Sequence, residues 1–375
     1  MTDLGKVDRD FFDEHIYPRL GAERDDVAIG PKHGVDFGML DLGGTERSGT
    51  TAEVGKTGLV MATDPLSILP ALGFDRAARF ALHVVLSDVA VSGFPPSHLA
   101  VSFTLPPEMT DAEFAEVWAA IDEECRDLGI SIVTGHTARY GGVSYSWVGG
   151  ATAFAVGDPE EVIRPDGARP GDAVLVTKGP AVETTGLLTS LFPEAVVEEG
   201  LDPSLLDSAQ ARLDETRTVR DAVAAADAGR GEGAVGGSVG DDDAGGDDGA
   251  GVTAMHDATE GGLFGAFCEV AAGASVRLTV ERDRVPMRPA VRETCDALGI
   301  DPWTCTSSGT LVLTVDPADR DAVVAALESR GTPVGVVGEV EEGEGVVVDD
   351  ESVEPPESDP SWDAYERLAT RSAEQ

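Results

Sequence analysis

Lysine is nearly absent from this chain. Among 375 residues only Lys6, Lys32, Lys56 and Lys178 are lysines. Lysine and arginine together number 27 against 69 aspartates and glutamates, a formal net charge of −42. This shortage of positive charge excludes nucleic acid and anionic membrane surfaces as partners, because both are bound through basic patches. In dilute buffer such self-repulsion destabilises a compact chain. At molar salt the screening length falls to about 3 Å and the repulsion is largely removed. The acidic residues are spread over every segment, so we read the composition as that of a halophilic protein.

Other absences narrow the class further. The four cysteines, Cys125, Cys268, Cys295 and Cys305, form no Cys-x-x-Cys pair, which removes zinc-ribbon and thioredoxin-like readings. A disulfide framework is not expected in a chain this long. No apolar run approaches 18 residues, so no membrane span is expected. Met1 to Asp13 is charged and has no apolar core segment, so no signal peptide is expected and we place the protein in the cytoplasm. Aromatic residues make up 5%, which leaves the core to Val, Leu, Ala and Ile. A hydrophobic content of 42% and a mean hydropathy of −0.06 fit a folded soluble chain.

What is present points to an α/β fold of two domains. Residues 10–20 have helical spacing. Strands are expected at 37–42 and 59–62, joined as a hairpin by the polar loop 45–56. A helix follows over 76–92 with Asp75 as its N-cap, and then a strand at 99–105. Thr110-Asp111-Ala112-Glu113 is a capping box opening a helix that Gly129 ends. A strand at 130–133 delivers Gly135-His136-Thr137 into a loop, and 143–156 reads as a strand pair. The turn-rich stretch 164–172 separates a first domain, 1–165, from a second, 166–350. In the second, a strand at 173–177 precedes helical 181–226. Strands at 275–281, 310–315 and 334–340 then alternate with helices at 290–298 and 318–330. Residues 229–251 hold ten glycines and six acids against one arginine, which reads as a disordered insert. An acidic tail, 351–375, has one short helix expected at 362–373.

Four aspartates stand at element boundaries or on apolar faces: Asp36, Asp64, Asp88 and Asp257. Asp88 is the most telling, because its helix is otherwise apolar (Leu82, Val84, Val85, Leu86, Val89, Val91). A carboxylate there costs several kcal/mol unless it is paired or bound to metal. Asp257 opens Asp257-Ala258-Thr259-Glu260-Gly261-Gly262-Leu263, where two glycines before an apolar helix leave backbone N–H groups open to an anion. Singly, Asp36 and Asp64 also read as turn residues, Asp257 as a helix cap, and His136 and His256 as structural histidines. Together the carboxylates match the chemistry of Mg²⁺, which binds a few of them plus substrate phosphates.

In order, Gly34-Val35-Asp36, Thr63-Asp64-Pro65, Ser87-Asp88-Val89-Ala90-Val91-Ser92-Gly93, Gly135-His136-Thr137, the Asp257–Leu263 block and Ser307-Ser308-Gly309-Thr310-Leu311 resemble the PurM-like superfamily. That superfamily contains aminoimidazole ribonucleotide (AIR) synthase, selenophosphate synthetase, thiamine-monophosphate kinase and the hydrogenase expression/formation protein HypE. The start, Gly5-Lys6 and Pro18-Arg19-Leu20-Gly21, resembles HypE-like archaeal members. The resemblance implies a PurM-like fold, with an N-terminal ATP-binding domain that dimerises by strand pairing and a C-terminal mixed α/β domain. It also implies ATP and Mg²⁺ as cofactors and a homodimer as the assembly. Asp36, Asp64, Asp88 and Asp257 take the family's metal-ligand role. Asp64, Asp257 and His136 are the expected catalytic groups. Lys6, Lys56, Gly135, Thr137, Thr259, Gly261 and Gly262 are the expected nucleotide contacts.

The implied activity is ATP-dependent phosphorylation or dehydration of a small-molecule or protein-borne group. Thiamine-monophosphate kinase and phosphoribosylformylglycinamidine cyclo-ligase are alternatives within the class, and a non-catalytic nucleotide-binding maturation scaffold is one outside it. The chain departs from HypE in having no cysteine after Cys305. It departs from many relatives in carrying His136 where they have an acidic residue, and from selenophosphate synthetase in lacking its N-terminal Cys/selenocysteine motif.

Overall fold

A computed structural model describes residues 12–20, 24–32, 34–43, 56–231 and 251–373. Lys6 and nearly all of the glycine-rich insert lie outside it. In the first half the strands are β1 (Val27–Ile29), β2 (Gly38–Asp41), β3 (Gly58–Ser67), β4 (His98–Leu105), β5 (Ser131–Arg139) and β6 (Trp147–Gly157). Helices α1 (Phe74–Ala90) and α2 (Asp111–Leu128) interrupt them. The six strands form one sheet in the order β1-β2-β3-β6-β4-β5. Only β4 and β5 pair in parallel, and α2 is the crossover that a parallel pair requires.

Local sequence accounts for much of this. Thr110 Oγ1 accepts from the Glu113 N–H while the Glu113 carboxylate accepts from the Thr110 N–H, the expected capping box, and Gly129 closes α2 in the left-handed conformation. β2 and β3 pair as the expected hairpin. Other expectations shift. Residues 10–20 form short turns, Phe12–Ile16 and Tyr17–Arg19, rather than one helix. Gly73 rather than Asp75 holds the N-cap of α1, and Asp75 pairs with Arg79 in the first turn. β3 runs on through Asp64 and Pro65. Its β2 partner ends opposite Met61, so on that side Pro65 has no ladder hydrogen bond to lose. The strand pair expected at 143–156 is the single strand β6.

The second half holds helices α3 (Val182–Leu191), α4 (Pro193–Glu199), α5 (Leu206–Gln210) and α6 (Val219–Gly229) between β7 (Ala173–Thr177) and β8 (Val252–Asp257). Then come α7 (Gly262–Ala274), β9 (Arg277–Val280), α8 (Pro289–Leu298), β10 (Leu311–Val315), α9 (Arg320–Ser329), β11 (Val334–Glu341), β12 (Gly345–Val348), β13 (Glu351–Val353) and α10 (Pro360–Ala373). The seven strands order as β13-β12-β9-β11-β7-β10-β8. The tail is built into the fold: α10 buries Ala364 and Leu368 against Leu188, Val196 and Leu298.

One apolar cluster runs from the first sheet through α1 into the second, joining Val60, Val85, Leu86, Ala222, Met255 and Leu313. Helix α1 is therefore packed between the two sheets. That position decides where Asp88 points.

Candidate metal-nucleotide site

Each aspartate reaches the site from a different element. Asp36 follows the turn closed by the Val35 N–H donating to the Lys32 carbonyl at 3.2 Å. Gly34 in that turn has φ 74°, and a Cβ there would stand 3.2 Å from Glu269 Cβ. Asp64 sits in β3 on the face covered by α1, with Ala62 and Leu66 buried on either side. Asp88 comes from α1. Asp257 ends β8, whose six residues are all buried.

Asp88 shows that the four converge. Burial first, then the charges of Asp257, Asp64 and Asp36, push its carboxyl well above the ordinary value, and it shares a hydrogen bond with Asp64. Asp64 Oδ2 is buried without an N–H or hydroxyl donor among the described residues. Carboxylates crowded in this way repel one another and favour a proton or a metal ion. An all-oxygen donor set suits a hard cation such as Mg²⁺, so the residues present fit the metal that the sequence implies.

Two more residues join the cluster. Ligand atoms of Asp36, His256 and Asp257 lie within 4.8 Å of one another. His256 Nε2 is 3.1 Å from Glu269 Oε2 and 3.6 Å from Asp36 Oδ1, and its Nδ1 is 2.7 Å from the Asp257 carbonyl. Burial lowers the His256 pKa, but Asp36 and Glu269 outweigh burial and push it up to about 10. With its pKa raised, the ring is a positive partner for the carboxylates. Sequence reasoning read His256 as a structural histidine and passed over Glu269. His256 had a signal in adjoining Asp257, whereas Glu269 lies inside α7 with none.

The remaining expected residues are dispersed. Gly135, His136 and Thr137 lie inside β5 rather than in a loop. The ladder runs Asp64, Ala151, Val101, Gly135, three strand spacings or roughly 14 Å. A Cβ at Gly135 would meet the Val101 carbonyl at 2.5 Å, so the residue is needed for close strand approach. Gly135 and Thr137 line a shallow cleft of about 310 Å³ beside Trp118. His136 is in register with Ser102, Gly150 and Pro65, on the sheet face opposite Asp64, and its Nε2 is 3.2 Å from the Tyr140 hydroxyl. Lys56 precedes β3 and pairs with Glu160 at the surface. Within this chain, then, neither His136 nor Lys56 reaches the carboxylates.

The double glycine also differs from expectation. Gly261 has φ 80° and caps α7, but its N–H donates to Asp359 Oδ2 at 3.4 Å. Asp359 also accepts from the Thr306 N–H at 2.8 Å and the Thr306 hydroxyl at 2.5 Å. The Gly262 N–H donates to the Thr259 carbonyl at 3.0 Å. A Cβ on Gly262 would come within 2.6 Å of the Cys305 carbonyl. In this conformation neither N–H is open to an anion, and Gly262 is required for backbone packing.

The matches to known families fall on the two sheets. Residues 49–157 match the AIR synthase related protein N-terminal domain, and residues 242–351 match the C-terminal domain of the same family. Together they cover more than half of the chain. It is a member of the AIR synthase related family. The carbamoyl dehydratase HypE of Rhizobium leguminosarum bv. viciae is 27% identical over 301 residues, 75% of this chain and 73% of that protein. The crystal structure of Escherichia coli HypE superposes with a TM-score of 0.64 at 25% identity, over 80% of this chain and 87% of that one. A hydrogenase maturation protein HypE solved in complex with ATP shares the fold at a TM-score of 0.59 and 21% identity, over 85% and 90% of the two chains. The two-domain PurM-like architecture expected from the motifs is thus that of this AIR synthase related chain.

Proposed function

We propose that this AIR synthase related protein is an ATP- and Mg²⁺-dependent enzyme that phosphorylates the oxygen of a carboxamide-type group and so drives its dehydration. The observation carrying this is the convergence of Asp64 and Asp88 from the matched N-terminal domain, Asp257 from the matched C-terminal domain, and Asp36 from the segment before them. Relatives named carbamoyl dehydratase and a fold neighbour solved with ATP support the substrate type.

Bound Mg²⁺ would neutralise charge developing on the phosphates, the dominant requirement of phosphoryl transfer. Asp64 and Asp257 would hold it, with Asp36 and Asp88 beside them. His256, fixed by Glu269, balances the surplus negative charge at Asp36.

The chain's own cysteines do not serve as the group carrier. Burial pushes Cys125 up to about 11 and Cys268 and Cys295 up to about 12, and it raises Cys305 as well. A thiol so far from ionisation is a poor nucleophile. We take the substrate group to be borne by another protein or by a small molecule.

The exposed face of the first sheet supports a homodimer. Val133 and Val156 are 56% and 49% exposed, and β5 is an open edge, the kind of strand that pairs with a second chain.

ADP release from ATP·Mg²⁺ with a carbamoylated peptide as acceptor tests the reading. Asp64→Asn and Asp257→Asn are expected to abolish release. Undiminished turnover in either variant rejects it.

A further inference from the structure

Glu183 is a half-buried glutamate that the metal site does not use. It lies in the first turn of α3, hydrogen-bonded to Ser308, with Asp359 and Glu260 as the nearest charges. Its Oε2 is buried with no hydrogen-bond partner among the described residues. Outside the metal site, the other buried carboxylates among the described residues have donors: Glu124 has Arg79, Asp221 has Lys178 and Arg330, and Asp172 accepts from the Arg169 N–H and the Thr253 hydroxyl. Glu183 faces acids from the Glu260 turn and from the segment before α10 and a hydroxyl from the Ser308 turn, and these are its largest electrostatic neighbours among the described residues. Burial raises its pKa to about 7, with Asp359 and Glu260 adding to the shift against the lowering effect of Ser308. A structural carboxylate gains nothing from such surroundings, whereas an acid–base group working near neutrality needs them.

The backbone puts Glu183 beside the reacting end of the metal site. β10 begins at Leu311, directly opposite Asp257, and the Ala258 N–H donates to the Thr310 carbonyl at 2.9 Å. Ser308 is two residues earlier, roughly 7 Å of chain. The Thr184 N–H and hydroxyl both donate to the Thr306 carbonyl, at 3.2 and 2.8 Å, which locks the α3 start onto this turn. The ATP-facing carboxylates and Glu183 therefore flank the same end of β8 and β10.

We propose that Glu183 is a catalytic acid–base residue on the acceptor side of the reaction; this rests on the phosphoryl-transfer reading above. The acceptor oxygen forms a bond to the γ-phosphorus as the bond to the β–γ bridging oxygen breaks, and ADP leaves with that electron pair. The proton given up by the acceptor, from the nitrogen of a carboxamide or from water, passes to Glu183 Oε2. The acceptor class is accordingly one with a dissociable proton on or next to the attacking atom.

Water serves as the probe acceptor. ADP release from ATP·Mg²⁺ by the full chain is expected to rise with pH through a limb near 7. Glu183→Gln should lower it at least about 100-fold, the scale of general acid–base catalysis, and flatten the limb. Glu183→Asp should restore part of the rate, and calorimetric ATP affinity should stay within about threefold. In the unliganded protein Glu183→Gln should raise the melting temperature more at pH 8.5 than at pH 5.5, because only above 7 is an unpaired charge held in the interior. A Glu183→Gln protein with wild-type rate and pH limb overturns the proposal. So does one that loses ATP binding along with activity, which marks a packing role, and so does a wild type that binds ATP yet releases no ADP. A wild type that binds no ATP removes the phosphoryl-transfer reading itself.

Discussion

Glu124 and Asp88 lie on neighbouring helices, α2 and α1, and both are largely withdrawn from water. Yet Glu124 is held down at about 2, while Asp88 is pushed well above its ordinary range. Their partners differ. Glu124 accepts from His83 Nε2 at 3.0 Å and from Arg79 Nη1 at 2.7 Å. Burial lowers the pKa of His83, so at neutral pH the ring contributes its N–H and Arg79 supplies the permanent charge. Nearby, Asp221 takes Lys178 at 2.9 Å, Arg330 at 3.1 Å and the Thr332 hydroxyl at 2.8 Å. Around Asp88 the nearest charges are three further aspartates. One region carries its cations in the chain; the other sets the His256 imidazolium against four aspartates and is built to receive a further cation. In a protein with 27 basic residues, placing several of them at the Glu124–Asp221 junction shows that the fold provides counter-charge where a carboxylate is structural.

The comparison breaks most sharply at Asp88. Asp88→Asn should cut ATP·Mg²⁺ turnover by at least about 100-fold, of the order expected when electrostatic stabilisation is lost. The melting temperature should hold or rise, because a repelling charge is gone. A large loss of stability in that variant would place Asp88 with the structural carboxylates.

Asp221→Asn should do the reverse. It leaves Lys178 buried without its counter-charge, at a cost of about 3–5 kcal/mol, read by urea unfolding at high salt. Calorimetric ATP affinity of the folded variant should be unchanged.

Acid sharpens the contrast. The depressed pKa of Glu124 contributes stability above its ordinary value of 4.5, and that contribution is lost as pH falls toward about 2. The shift corresponds to about 3 kcal/mol. Glu124→Gln should be less stable than wild type at pH 6, and the two should converge by pH 2. Protonating the raised Asp88 costs nothing over the same window.

The smallest effect is magnesium alone. At ten times its dissociation constant it should stabilise the wild type by about 1.4 kcal/mol. Asp257→Asn should lose that increment and Glu124→Gln should keep it, as a thermal shift series would show.

Much of this was legible in the chain. The Thr110 capping box, the Gly129 stop and the apolar run around Asp88 each carry a local physical cause. The hairpin of β12 and β13 was legible too but went unread: Asp349 and Asp350 both take positive φ, 51° and 69°, as a two-residue turn between strands requires. Asp359 was out of reach, because its partners Thr306 and Gly261 are brought to it only by the docking of α10. The placement of Gly135-His136-Thr137 inside β5 was hidden for a similar reason. Its polar residues lie on an edge strand, where exposure removes the alternation that marks a strand. The cation partners of Glu124 and Asp221 come from distant segments, so sequence singled out the unbalanced carboxylates and missed the balanced ones.

Calorimetry of ATP binding with and without Mg²⁺, in wild type and in Asp257→Asn, tests the central claim most directly. The account predicts binding by the wild type only when Mg²⁺ is present, and at least about tenfold weaker binding by the variant, a loss of about 1.4 kcal/mol or more. Binding that is equally tight without Mg²⁺, or undiminished in Asp257→Asn, would contradict it.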